Sequence, residues 1–241
     1  MRFGKKDIVV VLGCVVFLFA CLGAAGNSGR RRAKEAVCYS NLRRWGAVFT
    51  AFANDNDGYF MDRSDASEWY GTLEPYYRNR RLLFCPDARK TYYEGAINPH
   101  MAWLYEDENL VGVGSYCINL WISDEWGSGK VGSGVEEFWR TPHVAGAEQV
   151  PILADGQWKD ADPVQTDEPP LGEFDIWEMG TNEMKRVCIN RHNCGVNVVF
   201  LDSSVRKIGL KQLWRLKWHR TFDVGAPQPV WPGWMVNFKD Y

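Results

Sequence analysis

The sequence predicts an α+β protein: a long N-terminal helix, transmembrane in its first part and amphipathic in its second, packed on an antiparallel sheet and followed by a C-terminal hairpin and helix. Three observations predict it. An uncharged run from Ile8 to Ala25, "IVVVLGCVVFLFACLGAA", leads into a second helical pattern. In that pattern, apolar residues recur at three- and four-residue steps as far as Phe52. Near the far end, "VNVVFLDSSVRKI" from Val196 to Ile208 reads as strand, tight turn and strand. One dominant helix followed by separate β structure is an α+β layer arrangement.

The uncharged run is 18 residues long, at the short end of what a bilayer-spanning helix needs. Arg2, Lys5 and Lys6 precede it, and Arg30, Arg31, Arg32 and Lys34 follow, so basic residues flank both ends and do not set an orientation. Three readings stay open: a retained anchor, a cleaved signal with small residues at Ala24 to Gly26, and a lipoprotein signal acylated at Cys21. Each places the rest of the chain outside the cytoplasm. The retained form predicts a single-pass inner-membrane protein that meets the lipid bilayer through Ile8 to Ala25, with its C-terminal domain in the periplasm or outside the cell. The expected division is 1–53, anchor and long helix, and 54–241, an extracytoplasmic α+β domain.

The second part of the helix carries Ala33, Val37, Cys38, Asn41, Leu42, Trp45, Val48, Phe49 and Phe52 on one stripe. A retained segment makes this one continuous helix, with "GNSG" at Gly26 to Gly29 as a candidate hinge, since each glycine costs about 1 kcal/mol relative to alanine. The helix stops at "NDNDGY", Asn54 to Tyr59, where Gly58 can adopt a left-handed conformation. A calcium loop fails there: aligning the glycine puts Ala53 and Ser64 where acidic ligands belong.

Beyond the helix, Trp69 to Tyr77 reads as a short helix or turn and Gly112 to Ser123 as a strand. Gly127–Gly134 and Asp160–Pro170 read as loops, and Leu210–Arg220 as a closing helix. A 241-residue chain with 46% hydrophobic and 24% charged residues supports one sizeable core. Its formal charge of −2 leaves no footprint for nucleic acid, and no phosphate-binding loop or nucleophile elbow occurs.

"RRAKEAVCYSNLRRWGAVFTAFANDNDGYF", Arg31 to Phe60, resembles the region after the membrane helix in bacterial prepilin-type proteins related to type II secretion pseudopilins. "RHNCGVNVVFLDSSVRK", Arg191 to Lys207, is similar to the C-terminal signature of that group, a histidine, nine residues, then Asp-Gly. Its counterparts here are His192, Gly195, Asn197, Asp202 and Ser203, with serine in the glycine's place. Weaker echoes are "LFCP" (Leu83 to Pro86), "GSYCIN" (Gly114 to Asn119) and "VPILADG" (Val150 to Gly156). The resemblance implies a pilin-like fold and a structural or secretion-associated role without catalysis or cofactor, with other pilin-like subunits or a secretion assembly as partners. It implies a leader cut after Gly4, with Lys5 first in the mature chain. Asp7 would then stand third and Val9 fifth, where the family has glutamate. It also implies a disulfide between Cys38 and Cys85, which both lie in family-like segments.

His192 and Asp202 are ten positions apart across an apolar strand, which can separate them by roughly 30 Å. They therefore read as the ends of a strand, with His192 anchoring its start and Asp202 capping a turn, and not as a catalytic pair. A hydrolase using His143 or His192 with Asp155 rests on residue types alone. Zinc could be held by Cys188, His192 and Cys194 with Cys117 or His143, but the spacing matches no common paired motif, so no metal is expected. Outside the apolar run there are five cysteines, an odd number, so at least one is unpaired in a monomer. The twelve tryptophans carry the alternative reading of a carbohydrate-binding module, with Trp69, Trp103, Trp121 and Trp126 stacking on sugars.

Overall fold

A computed structural model describes residues 4–106, 111–124, 135–175 and 182–239. It is a mixed α/β structure with two sheets. Helix α1 runs unbroken from Lys5 to Asp55, through Gly26 and Gly29 without a hinge. Its side chains at Cys38, Leu42, Trp45, Phe49 and Ala53 are fully buried, following the three- and four-residue steps of the sequence. The helix ends where Asp57 and Gly58 take positive φ, with the Gly58 amide returning to the carbonyl of Ala53.

The expected membrane span from Ile8 to Ala25 is overturned. Among the described residues, no helix is long and apolar enough to cross a membrane, and the single-pass inner-membrane localisation that rested on such a span falls with it.

Two one-turn helices follow, α2 (Arg63–Ser67), capped by the Asp62 carboxylate, and α3 (Trp69–Thr72). Strands β1 (Lys90–Thr91), β2 (Met101–Glu106) and β3 (Val111–Gly114) form the smaller sheet. The larger sheet comprises β4 (Tyr116–Asn119), β5 (Pro151–Asp155), β6 (Asp160–Ala161), β7 (Gly195–Phe200) and β8 (Val205–Gly209), in the order β6-β4-β5-β7-β8. Most pairings are antiparallel, but β1 with β2 and β4 with β6 are parallel. The predicted strand from Gly112 to Ser123 is in fact divided between the two sheets at Ser115, which is fully buried and bonds elsewhere through its hydroxyl and carbonyl groups. The predicted closing helix is only a 3-10 segment, Leu210–Arg215. The loop assigned to Gly127–Gly134 lies outside the described residues.

Strand β7 is buried along its whole length between β5 and β8, and it lies under α1. Gly46 permits that approach: a Cβ there would come within 3.1 Å of Ser203 and 3.2 Å of Val199. The Thr50 and Ser203 hydroxyls meet at 3.3 Å, so the β7–β8 turn is seated on the helix. In that turn Ser203 has φ of 63°, and the Asp202 carboxylate accepts from the Ser204 amide at 2.9 Å.

Trp69, Trp103 and Trp121 are buried, and their indole N–H groups donate to the carbonyls of Lys159, Tyr116 and Pro163. Trp45, Trp139, Trp214 and Trp218 likewise donate to backbone carbonyls. Indoles held this way fill the core and pin loops, leaving no ring face for a sugar to stack on. Trp126 lies outside the described residues.

Candidate functional site

Beneath α1, four side chains from distant parts of the chain converge: Cys38 of α1, Cys85 from the segment after a 3-10 turn at Arg80–Leu83, Asp155 at the end of β5, and His192 just before β7. Their sulfur, oxygen and nitrogen atoms lie within 4.8 Å of one another, and all four residues are buried. His192 Nε2 is 3.1 Å from Asp155 Oδ2 and 3.4 Å from Cys85 Sγ. Cys38 Sγ is 3.4 Å and 3.6 Å from the two Asp155 oxygens.

A second layer holds these groups in place. The Asn197 amide of β7 donates to Asp155 Oδ2 at 2.8 Å, and the Ser115 hydroxyl accepts from the Cys85 amide at 2.5 Å. The Tyr116 hydroxyl reaches Cys38 Sγ at 3.5 Å. On the far side of the imidazole, Nδ1 is 3.6 Å from Asp87, whose carboxylate pairs with Lys34 of α1 at 2.9 Å. Arg191, fully buried, donates to the carbonyls of Pro99, Ser115, Met101 and Gly156 and stands 3.4 Å from Asp155. A cleft of about 290 Å³, lined in part by Asp87, His100 and Arg191, reaches His192 from the surface.

The electrostatics follow from this packing. Burial pushes the Asp155 carboxyl up, but the charges of His192 and Arg191 and the bonds from His192 and Asn197 outweigh it and hold it below its ordinary value. Burial alone would make His192 a weaker base, yet Asp155 raises it to about 10. Burial also raises the Cys38 thiol, whereas Cys85 ends below its ordinary value because bonds from Cys38 and His192 and the charge of Arg191 overcome the desolvation. Without a bound ion the cluster thus sets the Asp155 carboxylate against the His192 imidazolium, beside the sulfurs of Cys38 and Cys85.

Cys38 and Cys85, expected as a disulfide, are both free thiols. A disulfide needs sulfurs about 2.05 Å apart, and here each sulfur is instead engaged by Asp155 or His192. The zinc set read from spacing is not assembled either. Cys188 and Cys117 are buried elsewhere, Cys194 is exposed, and His143 lies at the surface near Gly58. Of the signature residues, His192, Gly195 and Asn197 surround the cluster, while Asp202 and Ser203 form the distant turn. His192 anchors the start of β7, its amide donating to the Gly195 carbonyl at 3.0 Å. Gly4 precedes α1 and Lys5 opens it.

Chemically, the cluster can bind a soft or borderline metal ion, and the Cys85–His192 contact has the composition of a nucleophile and its base. The nucleophile has no open face, since Cys85 is 0% exposed. The sequence did carry a signal for the cluster: the family-like segments "CYSNL", "LFCP", "VPILADG" and "RHNCG" supply Cys38, Cys85, Asp155 and His192, one each. No family model, no curated protein and no solved structure matches the chain.

Proposed function

We propose that the protein is a non-catalytic structural subunit of pilin-like build that associates with further copies through the N-terminal part of α1. The observation that carries this reading is the contrast along that one helix. Its described side chains before Cys38 are exposed or half-buried, and Val10, Val11, Leu12, Val15, Val16 and Phe17 are between 41% and 67% exposed. The stretch from Lys5 to Arg30 adds about 40 Å of helix beyond the part that packs on the sheet. A helix that is apolar around its circumference is stable when something covers it. A second copy offers the same surface and the same length, and side-by-side packing of such helices would leave the α/β heads outside. The pilin-like features of the sequence, in "CYSNL" and in the histidine–aspartate signature, support the same role.

The test is the oligomeric state of the full chain by sedimentation velocity, across the micromolar range, beside Val16→Glu and Phe17→Glu. Concentration-dependent association that either substitution abolishes supports the reading. A wild-type chain that stays monomeric throughout, or one whose association ignores both charges, ends it.

A further inference from the structure

We propose that Cys38, Cys85, Asp155 and His192 form a closed, tetrahedral binding site for one divalent transition metal ion of the zinc type, clamping α1 to the sheet. This goes beyond the assembly role and does not depend on it.

The first argument is geometric. Metal–ligand lengths of about 2.0 to 2.3 Å in a tetrahedron require edges of about 3.3 Å between nitrogen and oxygen and about 3.5 Å from sulfur to either. The cluster has 3.1 Å from His192 Nε2 to Asp155 Oδ2, 3.4 Å from Cys85 Sγ to His192 Nε2, and 3.6 Å from Cys38 Sγ to the same Asp155 oxygen. The other three edges are no longer than 4.8 Å, so side-chain shifts on the order of 1 Å close the four donors around an ion. Two sulfurs, one imidazole and one carboxylate make a donor set that suits zinc over magnesium or calcium, which prefer oxygen alone.

The second argument is charge. Two thiolates and a carboxylate around a divalent ion leave one negative charge, and the buried guanidinium of Arg191, 3.4 Å from Asp155, cancels it. A buried site whose charges sum to zero avoids the desolvation cost that an uncompensated ion carries.

The third argument is the outer shell. His192 faces its candidate ion through Nε2 and Asp87 through Nδ1, the arrangement in which a carboxylate fixes the ring of a metal-bound histidine. Asp155 is oriented by the Asn197 amide. The side-chain amide of Asn197, buried next to Cys38, has no partner of ordinary hydrogen-bond geometry, and a metal-bound thiolate sulfur accepts from such a donor. The cleft lined by Asp87 and Arg191 gives the ion a way in.

The experiment uses the full chain, purified under reducing conditions and titrated with cobalt(II), then competed with zinc(II). The expected result is one cobalt per chain, thiolate-to-cobalt charge-transfer absorption in the near ultraviolet, intense visible bands of tetrahedral cobalt, and bleaching by one equivalent of zinc. Cys85→Ser should weaken the charge-transfer absorption, Asp155→Asn should lower affinity, and Asp87→Asn should cost about 10- to 100-fold in affinity while keeping the tetrahedral spectrum. Cys194→Ser should change nothing. The wild-type titration decides the matter even where a variant fails to fold. A folded wild-type chain that gives no tetrahedral bands overturns the proposal, as do bands that survive Cys85→Ser unchanged or a Cys38–Cys85 disulfide mapped in protein alkylated at isolation.

Discussion

Two buried polar clusters flank the core, and they balance their charges in different ways. One is the set around Cys38, Cys85, Asp155 and His192. The other, on the β6 side, joins Arg63, Lys159 and Arg186 to Asp160, Asp162 and Glu183. There Arg63 meets Asp162 at 2.7 Å, and Arg186 meets Asp160 at 2.7 Å and Glu183 at 3.1 Å. Three basic groups face three carboxyls, and the ion pairs between them set nitrogen against oxygen. Burial first, and then the neighbouring Asp162, push Glu183 up to about 8, so near neutral pH it holds a proton beside Asp162. The first cluster also has a cation, Arg191, but its two sulfurs are weak hydrogen-bond partners whose strong interaction is with a metal. The difference teaches that burial of charge does not by itself indicate a ligand site. The chemical types of the donors decide it.

The largest expected effect breaks the first cluster without touching its four donors. Arg191→Met takes the guanidinium donor from four backbone carbonyls and one cation from Asp155, which keeps His192 and the Asn197 amide, and should cost about 3 to 5 kcal/mol, read by chemical denaturation. A loss below about 1 kcal/mol would show that Arg191 does not balance the cluster. Next, Arg186→Met should cost about 3 kcal/mol in the second cluster, and adding Asp160→Leu should recover part of that loss, because the double variant no longer buries a carboxylate left with only its longer contact to Lys159. Strict additivity of the two substitutions would contradict a closed network.

A pH series sharpens the contrast further. The folded pKa of Glu183, about 8, lies above the ordinary 4.5, so the folded state binds more protons between these values. Its contribution to stability is full below pH 4.5 and is lost as pH rises through 8. Glu183→Gln should flatten the stability profile over that window, and a variant profile parallel to the wild type would place the titrating proton elsewhere. The smallest effect lies outside both clusters. Ser203 holds φ of 63° in the β7–β8 turn, so Ser203→Gly should stabilise by about 1 kcal/mol, less whatever the contact with Thr50 contributes. A destabilised variant would mean that this hydroxyl matters more than the backbone strain.

Part of the site was legible beforehand and part was not. His192 was rightly separated from Asp202, because an extended strand keeps its ends apart whatever surrounds it. The pairing of His192 with Asp155 could be read only as a matter of residue types, since they stand 37 positions apart on either side of a sheet crossover and no local spacing encodes the contact. Cys38 and Cys85, expected together as a disulfide, do meet in the cluster, but as free cysteines. Cys188 and Cys194 are near His192 in sequence but stand outside the cluster, one buried and the other exposed, whereas Cys38 arrives from a helix more than a hundred residues earlier.

By itself the sequence determined what periodicity and local chemistry can determine: one helix through Phe52 with its buried stripe, a terminating turn at Gly58, and the β7–β8 hairpin with its aspartate-capped turn. These depend on hydrogen bonds and side-chain directions repeating within a few residues. The tertiary structure alone decided the division of the Gly112–Ser123 segment between two sheets, the burial of Trp69, Trp103 and Trp121, and the assembly of two thiols, a carboxylate and an imidazole beneath α1. Each of those depends on which surfaces meet when apolar area is withdrawn from water, a property of the packed chain as a whole.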